Sequence, residues 1–265
     1  MHITSPHNPR IKAAARLRDA RERRQEQRFL IEGRREIQRA IAGGLRIVEA
    51  FVDEQQASAP QVEELSRQLE ASGAAIYVAS AGAFSRLCFG ERNEAIVAVA
   101  KTPVRQLADL RLPTMPLVAV IEGVEKPGNV GAILRSADAA GVSAVIVADG
   151  GTDLFNPNAI RTSLGAIFTL PMVAASPHEV LNWLKAQKIA IFAARVGATI
   201  DYAAAAYRQP AAIVLGSEAK GLSGVWNDAA VTAISLPMLG VVDSLNVSAS
   251  AAVLFYEALR QRRKG

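Results

Sequence analysis

After Pro116 the chain repeats one pattern five times. Leu117–Ile121, Ala144–Ala148, Ile189–Ala193, Ala212–Leu215 and Thr232–Leu236 are short runs that are almost continuously apolar. Stretches of helical character lie between and after them, at 130–140, 157–165, 177–187 and 244–262. A strand with one wet face alternates polar and apolar residues, whereas a strand buried on both faces does not. Non-alternating strands separated by helices predict a parallel α/β sheet covered on both sides.

The residues before Pro116 follow a different rhythm. Residues 10–27 read as a basic helix and Phe29–Gly33 as a short strand. A helix over 36–42 stops at Gly43-Gly44, and a strand follows at 47–52. A helix over 62–71 carries Val62, Leu65 and Leu69 on one face, and strands follow at 75–78 and 95–100. This is a small α/β unit in its own right. Pro103, Pro113 and Pro116 mark a linker. The chain therefore divides into residues 1–101, a linker at 102–116, and a larger domain over 117–265.

With 50% hydrophobic residues the chain can build a substantial core. No apolar run approaches the roughly 20 residues that span a bilayer. The polar opening Met1–Pro9 lacks the apolar stretch of a signal peptide, so a soluble, cytoplasmic protein is expected, with no membrane partner. Cys88 is alone, and His2, His7 and His178 are scattered without metal-ligand spacing. Neither a disulfide nor a metal site is expected.

Charge is concentrated rather than spread. Between Arg10 and Arg35 stand ten basic residues against four acidic ones, a surplus larger than the +5 of the whole chain. Such a segment is either a solvated, salt-bridge-laced helix or the footprint of a polyanion partner. The preponderance of arginine favours nucleic acid, because guanidinium forks match phosphate geometry. Arg10, Lys12, Arg16, Arg23, Arg24 and Arg34 are the candidate nucleic-acid contacts, and the tail Arg260, Arg262, Arg263 and Lys264 is a further one.

The common nucleotide and hydrolase signatures are missing. Gly123-Val-Glu-Lys-Pro-Gly128-Asn-Val-Gly131 does not fit the dinucleotide fingerprint, and it ends in no Gly-Lys-Ser/Thr. There is no Gly-x-Ser-x-Gly elbow. Three other segments carry polar chemistry: Asn129, Gly131 and Arg135; Gly216-Ser-Glu218-Ala-Lys-Gly221; and Ser244-Leu-Asn246-Val-Ser248 after Pro237. With a helix starting near Asn129, that residue is its cap. Arg135 then lies on the same side as Gly131, whose missing side chain leaves room for a partner. Glu218, in a glycine turn after a buried strand, is placed to accept bonds from a ligand or to orient Arg135. Ser244 and Asn246 sit at a helix N-terminus, a polar cradle for a ligand. Each segment taken alone also reads as a capped helix or tight turn.

In this order and spacing the three segments resemble the SpoU (TrmH) family of RNA ribose 2′-O-methyltransferases, within the SPOUT class. Ser5–Lys12 and Phe29–Gly33 are similar to the ribosomal-protein-like substrate-binding domain of rRNA-directed members. The resemblance implies an α/β fold whose C-terminal parallel-sheet domain is tied in a deep trefoil knot. It implies a cofactor, S-adenosyl-L-methionine, held by Gly216, Glu218, Leu236, Met238, Leu245 and Asn246, with Leu215 and Ala194. It implies catalytic roles for Arg135, Asn129, Ser244 and Asn246, and a homodimer. The implied substrate is a ribose 2′-hydroxyl in rRNA. A tRNA enzyme and a non-catalytic RNA-binding assembly factor of the same fold are the alternatives.

Overall fold

The computed structural model describes residues 1–89, 94–149 and 152–263. In chain order its elements are β1 (His2–Ile3), α1 (Pro9–Arg16), α2 (Ala20–Glu26), β2 (Arg28–Glu32), α3 (Arg34–Ala42), β3 (Ile47–Asp53) and α4 (Pro60–Ala71). Then come β4 (Ala75–Ala79), α5 (Ala81–Phe84), β5 (Ile96–Lys101), β6 (Leu117–Ile121), α6 (Pro127–Ala139), β7 (Ala144–Val147), α7 (Pro157–Thr162) and α8 (Ala166–Thr169). The last are β8 (Met172–Ala174), α9 (Pro177–Ala186), β9 (Ala190–Ala194), β10 (Ile200–Asp201), β11 (Ala211–Leu215), β12 (Val231–Ser235) and α10 (Val247–Arg263). Pro9, Pro60, Pro127, Pro157 and Pro177 all open helices, where the missing N–H costs nothing.

The chain forms two compact units, Met1–Val104 with Asp153–Thr169, and Arg105–Thr152 with Leu170–Gly265. By sequence continuity 153–169 goes with the C-terminal domain, but by its contacts it packs with the first unit. Phe155 stacks on Phe29 with ring centroids 4.3 Å apart, and Phe168 lies 6.1 Å from the same ring. Residues 105–116, read as linker, pack with the second unit and include a 3₁₀ turn at Leu107–Asp109.

The first unit holds a mixed sheet in the order β1-β4-β3-β5-β2. β5 runs antiparallel to both β2 and β3, and the other pairs are parallel. The basic helix expected over 10–27 is two helices. Asp19 breaks it, its carboxylate accepting from the N–H groups of Arg21 (2.7 Å) and Glu22 (3.3 Å) to cap α2.

The second unit is an all-parallel sheet of seven strands in the order β10-β12-β9-β11-β6-β7-β8. The five apolar runs are its β6, β7, β9, β11 and β12. Every residue of β6, β7 and β11 is buried, as expected for a sheet covered on both faces. One face packs Val118, Val120, Ile146, Ile191 and Val214 against Val180 and Leu184 of α9 and against Trp226. Among the described residues no helix is long and apolar enough to cross a membrane.

Candidate active site

The polar segments of the second unit meet at the carboxyl ends of its central strands, where open α/β sheets present ligand sites. Leaving β11, the chain turns sharply. Ser217 and Gly221 pair through two backbone hydrogen bonds of 3.2 and 2.9 Å. Ser217 Oγ accepts from the N–H groups of Ala219 (3.2 Å) and Lys220 (2.9 Å). Gly221 adopts φ +65°, and a Cβ at Gly216 would fall 2.5 Å from the Gly221 carbonyl carbon. Both glycines are therefore required by backbone geometry. The turn holds Glu218 at its tip.

Glu218 gathers two helix N-termini. It accepts from Lys126 Nζ (3.0 Å) and Asn129 Nδ2 (3.1 Å) at the start of α6. It also accepts from Asn246 Nδ2 (2.6 Å) and the Val247 N–H (3.4 Å) at the start of α10. Asn246 Nδ2 reaches Asn129 Oδ1 as well (3.2 Å). The Lys126 ammonium above all, with Val247 and Asn129, holds the Glu218 carboxyl below the usual carboxylate range. Asn246 caps α10, its Oδ1 accepting from Ser248 N (2.9 Å) and Ser248 Oγ (2.6 Å).

Two sequence readings are corrected here. Asn129 does not cap α6: the helix starts at Pro127, two residues earlier, and the freed Asn129 side chain joins the Glu218 network. Glu218 does not orient Arg135, whose exposed guanidinium has no hydrogen bond or ion pair among the described residues.

Beside the network lies a cleft of about 990 Å³. Ala194, Leu215, Gly216, Glu218, Leu236, Met238, Ser244 and Leu245 line it; Asn129, Arg135 and Asn246 stand outside its lining. Sequence reasoning passed over Lys126, Arg195 and Glu122. Glu122 is 7% exposed and accepts from Ser223 N (2.8 Å), Ser223 Oγ (2.8 Å) and Trp226 Nε1 (3.2 Å). It anchors the chain just beyond the glycine turn. An acidic residue directly after an apolar strand was the available signal for it.

In the first unit Arg10, Lys12, Arg16, Arg24 and Arg34 are exposed. Arg10 lies 3.4 Å from Glu49 and over the Tyr77 ring, and Arg16 lies 3.5 Å from Glu22. Lys12, Arg24 and Arg34 form no ion pair among the described residues. Arg23 differs: it is 4% exposed, paired with Asp153, and donates to the carbonyls of Leu17 (2.8 Å) and Arg18 (2.6 Å). It is closed to a phosphate, so unlike its neighbours it is not available as a nucleic-acid contact. In the tail, Arg260 is held by Glu257, and Arg262 donates to the carbonyls of Tyr207, Met115, Pro116 and Gln209. Lys264 lies outside the described residues.

Comparison with known proteins agrees with this architecture. Residues 116–256 match the SpoU rRNA methylase family, and residues 8–98 match the MRM3-like substrate binding domain. A 23S rRNA (uridine(2479)-2′-O)-methyltransferase of Streptomyces viridochromogenes is 32% identical over 246 residues, covering 89% of this chain and 84% of that protein. A crystal structure described as an RNA 2′-O ribose methyltransferase is 44% identical with a TM-score of 0.83, covering 99% of this chain and 100% of the other. The SpoU methyltransferase AviRb from Streptomyces viridochromogenes, solved with the cofactor AdoMet, is 29% identical with a TM-score of 0.90, covering 98% of this chain and 100% of the other. On the family match and the full-length likeness together, this chain belongs to the SpoU rRNA methylase family.

Proposed function

We propose that this protein methylates a ribose 2′-hydroxyl of 23S-type rRNA, using S-adenosyl-L-methionine, in the cytoplasm. The observation that carries the reading is the Asn129–Glu218–Asn246 network standing beside a cleft at the carboxyl ends of β9, β11 and β12. Family membership and the rRNA methyltransferase named among the relatives support it.

The residues present fit the cofactor. The cleft has the volume of a small-molecule site. Gly216 leaves its backbone bare where any side chain would collide with Gly221, so a ligand can approach the main chain closely. Leu236, Met238 and Leu245, with Leu215 and Ala194, supply apolar walls for an adenosine. When bound, the cofactor supplies an activated methyl group on a sulfonium.

The protein must then align the 2′-hydroxyl and manage its proton and charge. Arg135 is exposed and unpaired, which leaves its guanidinium for the substrate. A guanidinium resists deprotonation, so its role is to bind the target phosphate and stabilise the developing alkoxide rather than to act as base. Asn129 and Asn246, fixed by Glu218, order the helix ends around the reacting hydroxyl, and Ser244 adds a hydroxyl at the cleft wall. The exposed arginines and lysine of α1 and α2, with Arg34, grip the RNA through phosphates.

The deep trefoil knot is part of the proposal. After β11 the chain passes β9 to form β12, then returns as α10 to pack on α6 and β11, a path that supports threading. A homodimer is proposed too. Leu239 (99% exposed) and Val241 (100%) before α10, and Tyr256 on it, are exposed apolar side chains of the kind a second copy would cover. Light scattering of the purified protein reads the dimer directly.

The deciding experiment is transfer of labelled methyl from S-adenosyl-L-methionine to 23S rRNA, with mapping of 2′-O-methyl positions. Titration with S-adenosyl-homocysteine accompanies it. Micromolar binding weakened by Asn246→Ala, with label in one ribose, is expected. No binding by the folded protein would end the reading.

A further inference from the structure

Arg195 follows the last residue of β9, and its backbone N–H donates to the Ile234 carbonyl of β12 (2.9 Å). Arg195 is one of the residues that line the cleft. Nη2 is sealed from solvent without an acceptor, and the guanidinium as a whole has no hydrogen bond or ion pair among the described residues. Arg262 of this unit, likewise half-buried, is the opposite case, since it is satisfied by four carbonyls.

A desolvated donor without an acceptor is costly, and a guanidinium cannot escape the cost by losing its proton. The cleft's own carboxylates do not meet the need. Glu218 is taken by Lys126, Asn129 and Asn246, and Asp243 is exposed and makes no bond to Arg195. No group among the described residues supplies the acceptor that Nη2 lacks.

We propose that Arg195 binds the α-carboxylate of the cofactor, and so sets the orientation of its amino-acid end. This rests on the methyltransferase reading above. Adenine and ribose offer only neutral acceptors, while the sulfonium and ammonium repel a guanidinium. The carboxylate is the single anionic group, and its two oxygens match the guanidinium fork. An RNA phosphate shares that chemistry. Arg195, however, stands among Ala194, Gly216 and Leu236 at the ends of adjacent strands, inside the cleft. The guanidinium turns its sealed Nη2 toward the incoming carboxylate.

The test is calorimetric titration, without RNA, using S-adenosyl-homocysteine and its decarboxylated analogue, which keeps the ammonium. The wild type is expected to bind the carboxylate-bearing ligand about 10- to 100-fold more tightly. Arg195→Ala should abolish that preference while keeping the weak affinity for the analogue, which also shows that the pocket is intact. Arg195→Lys should restore part of it. A preference unchanged in Arg195→Ala, or equal losses for both ligands, would overturn the assignment while leaving the enzyme reading standing. A preference abolished instead by Lys220→Ala, an exposed cation of the same lining, would overturn it too. A wild type that binds neither ligand would end both.

Discussion

In the first unit Arg23 lies 4% exposed between Asp153 and the carbonyls of Leu17 and Arg18. In the second, Glu218 stands at the tip of a glycine turn and gathers Lys126, Asn129, Asn246 and the Val247 N–H. Both are charged groups with several partners, but they answer different needs. Arg23 is surrounded, and its partners close it off from any ligand, so its contribution is to stability. The partners of Glu218 are the ends of two helices beside a cleft, and what it fixes is the position of the groups at those ends. Partner count alone does not separate a structural charge from a functional one; what the partners border does.

The sharpest break of this comparison is at Arg135. Arg135→Ala is expected to lower kcat by about 100- to 1,000-fold, the usual cost of removing a charge-stabilising donor. Affinity for S-adenosyl-homocysteine should stay within about twofold, because Arg135 is outside the cleft lining. Single-turnover methyl transfer beside calorimetry reads both. A large loss of cofactor affinity would move Arg135 into the cofactor site.

Next in size is Arg23→Ala, which leaves Asp153 without its cation. Urea unfolding should show a loss of about 3 kcal/mol, at the low end for a broken buried pair because Asp153 is 25% exposed. The salt dependence of RNA affinity should not change. Arg24→Ala and Arg34→Ala should behave in reverse, with stability unchanged and the log–log salt slope reduced by about one per substitution. If Arg23→Ala flattened the slope like its neighbours, the division between buried and exposed arginines would fail.

This division also marks what could be read from the sequence. β6, β7, β9, β11 and β12 are legible because a strand buried on both faces needs an unbroken apolar run. β8 and β10, at three and two residues, are too short to make one. Asp19 followed by Glu22 carried the break between α1 and α2, but the arginines around them masked it as one basic helix. Arg23 looks like its neighbours in any charge count, since nothing local says which face turns inward. The three site segments were legible as polar clusters at strand–helix junctions. Lys126 was not, because its partner Glu218 is 92 residues away and only the sheet brings them together. Pro127, a helix-opening residue, did hold the clue that α6 begins before Asn129.

A smaller effect is expected at the cap of α10. Asn246→Ala removes the acceptor for Ser248 N and should cost about 1 kcal/mol in unfolding experiments. It also removes a donor to Glu218, so cofactor affinity should fall by more than the cap alone explains. Asn246→Asp separates the two roles, because it keeps a capping oxygen but puts a second carboxylate against Glu218.

The smallest effect is in pH. Lys126 first, with Val247 and Asn129, lowers the Glu218 pKa below its ordinary 4.5. Glu218 therefore binds its proton less readily folded than unfolded. The stability it contributes is complete above the unfolded pKa and is lost as pH falls through the depressed folded value. The loss should begin near pH 4.5 and finish below it. Because Glu218 is partly exposed, solvent screens the gain, and the comparison with a variant matters more than the absolute slope. Melting temperatures of wild type and Glu218→Gln should converge as pH falls into that window and stay apart above it. Parallel curves would mean that the carboxylate's charge adds nothing, and that Glu218 serves the two helix ends only through the geometry of its hydrogen bonds.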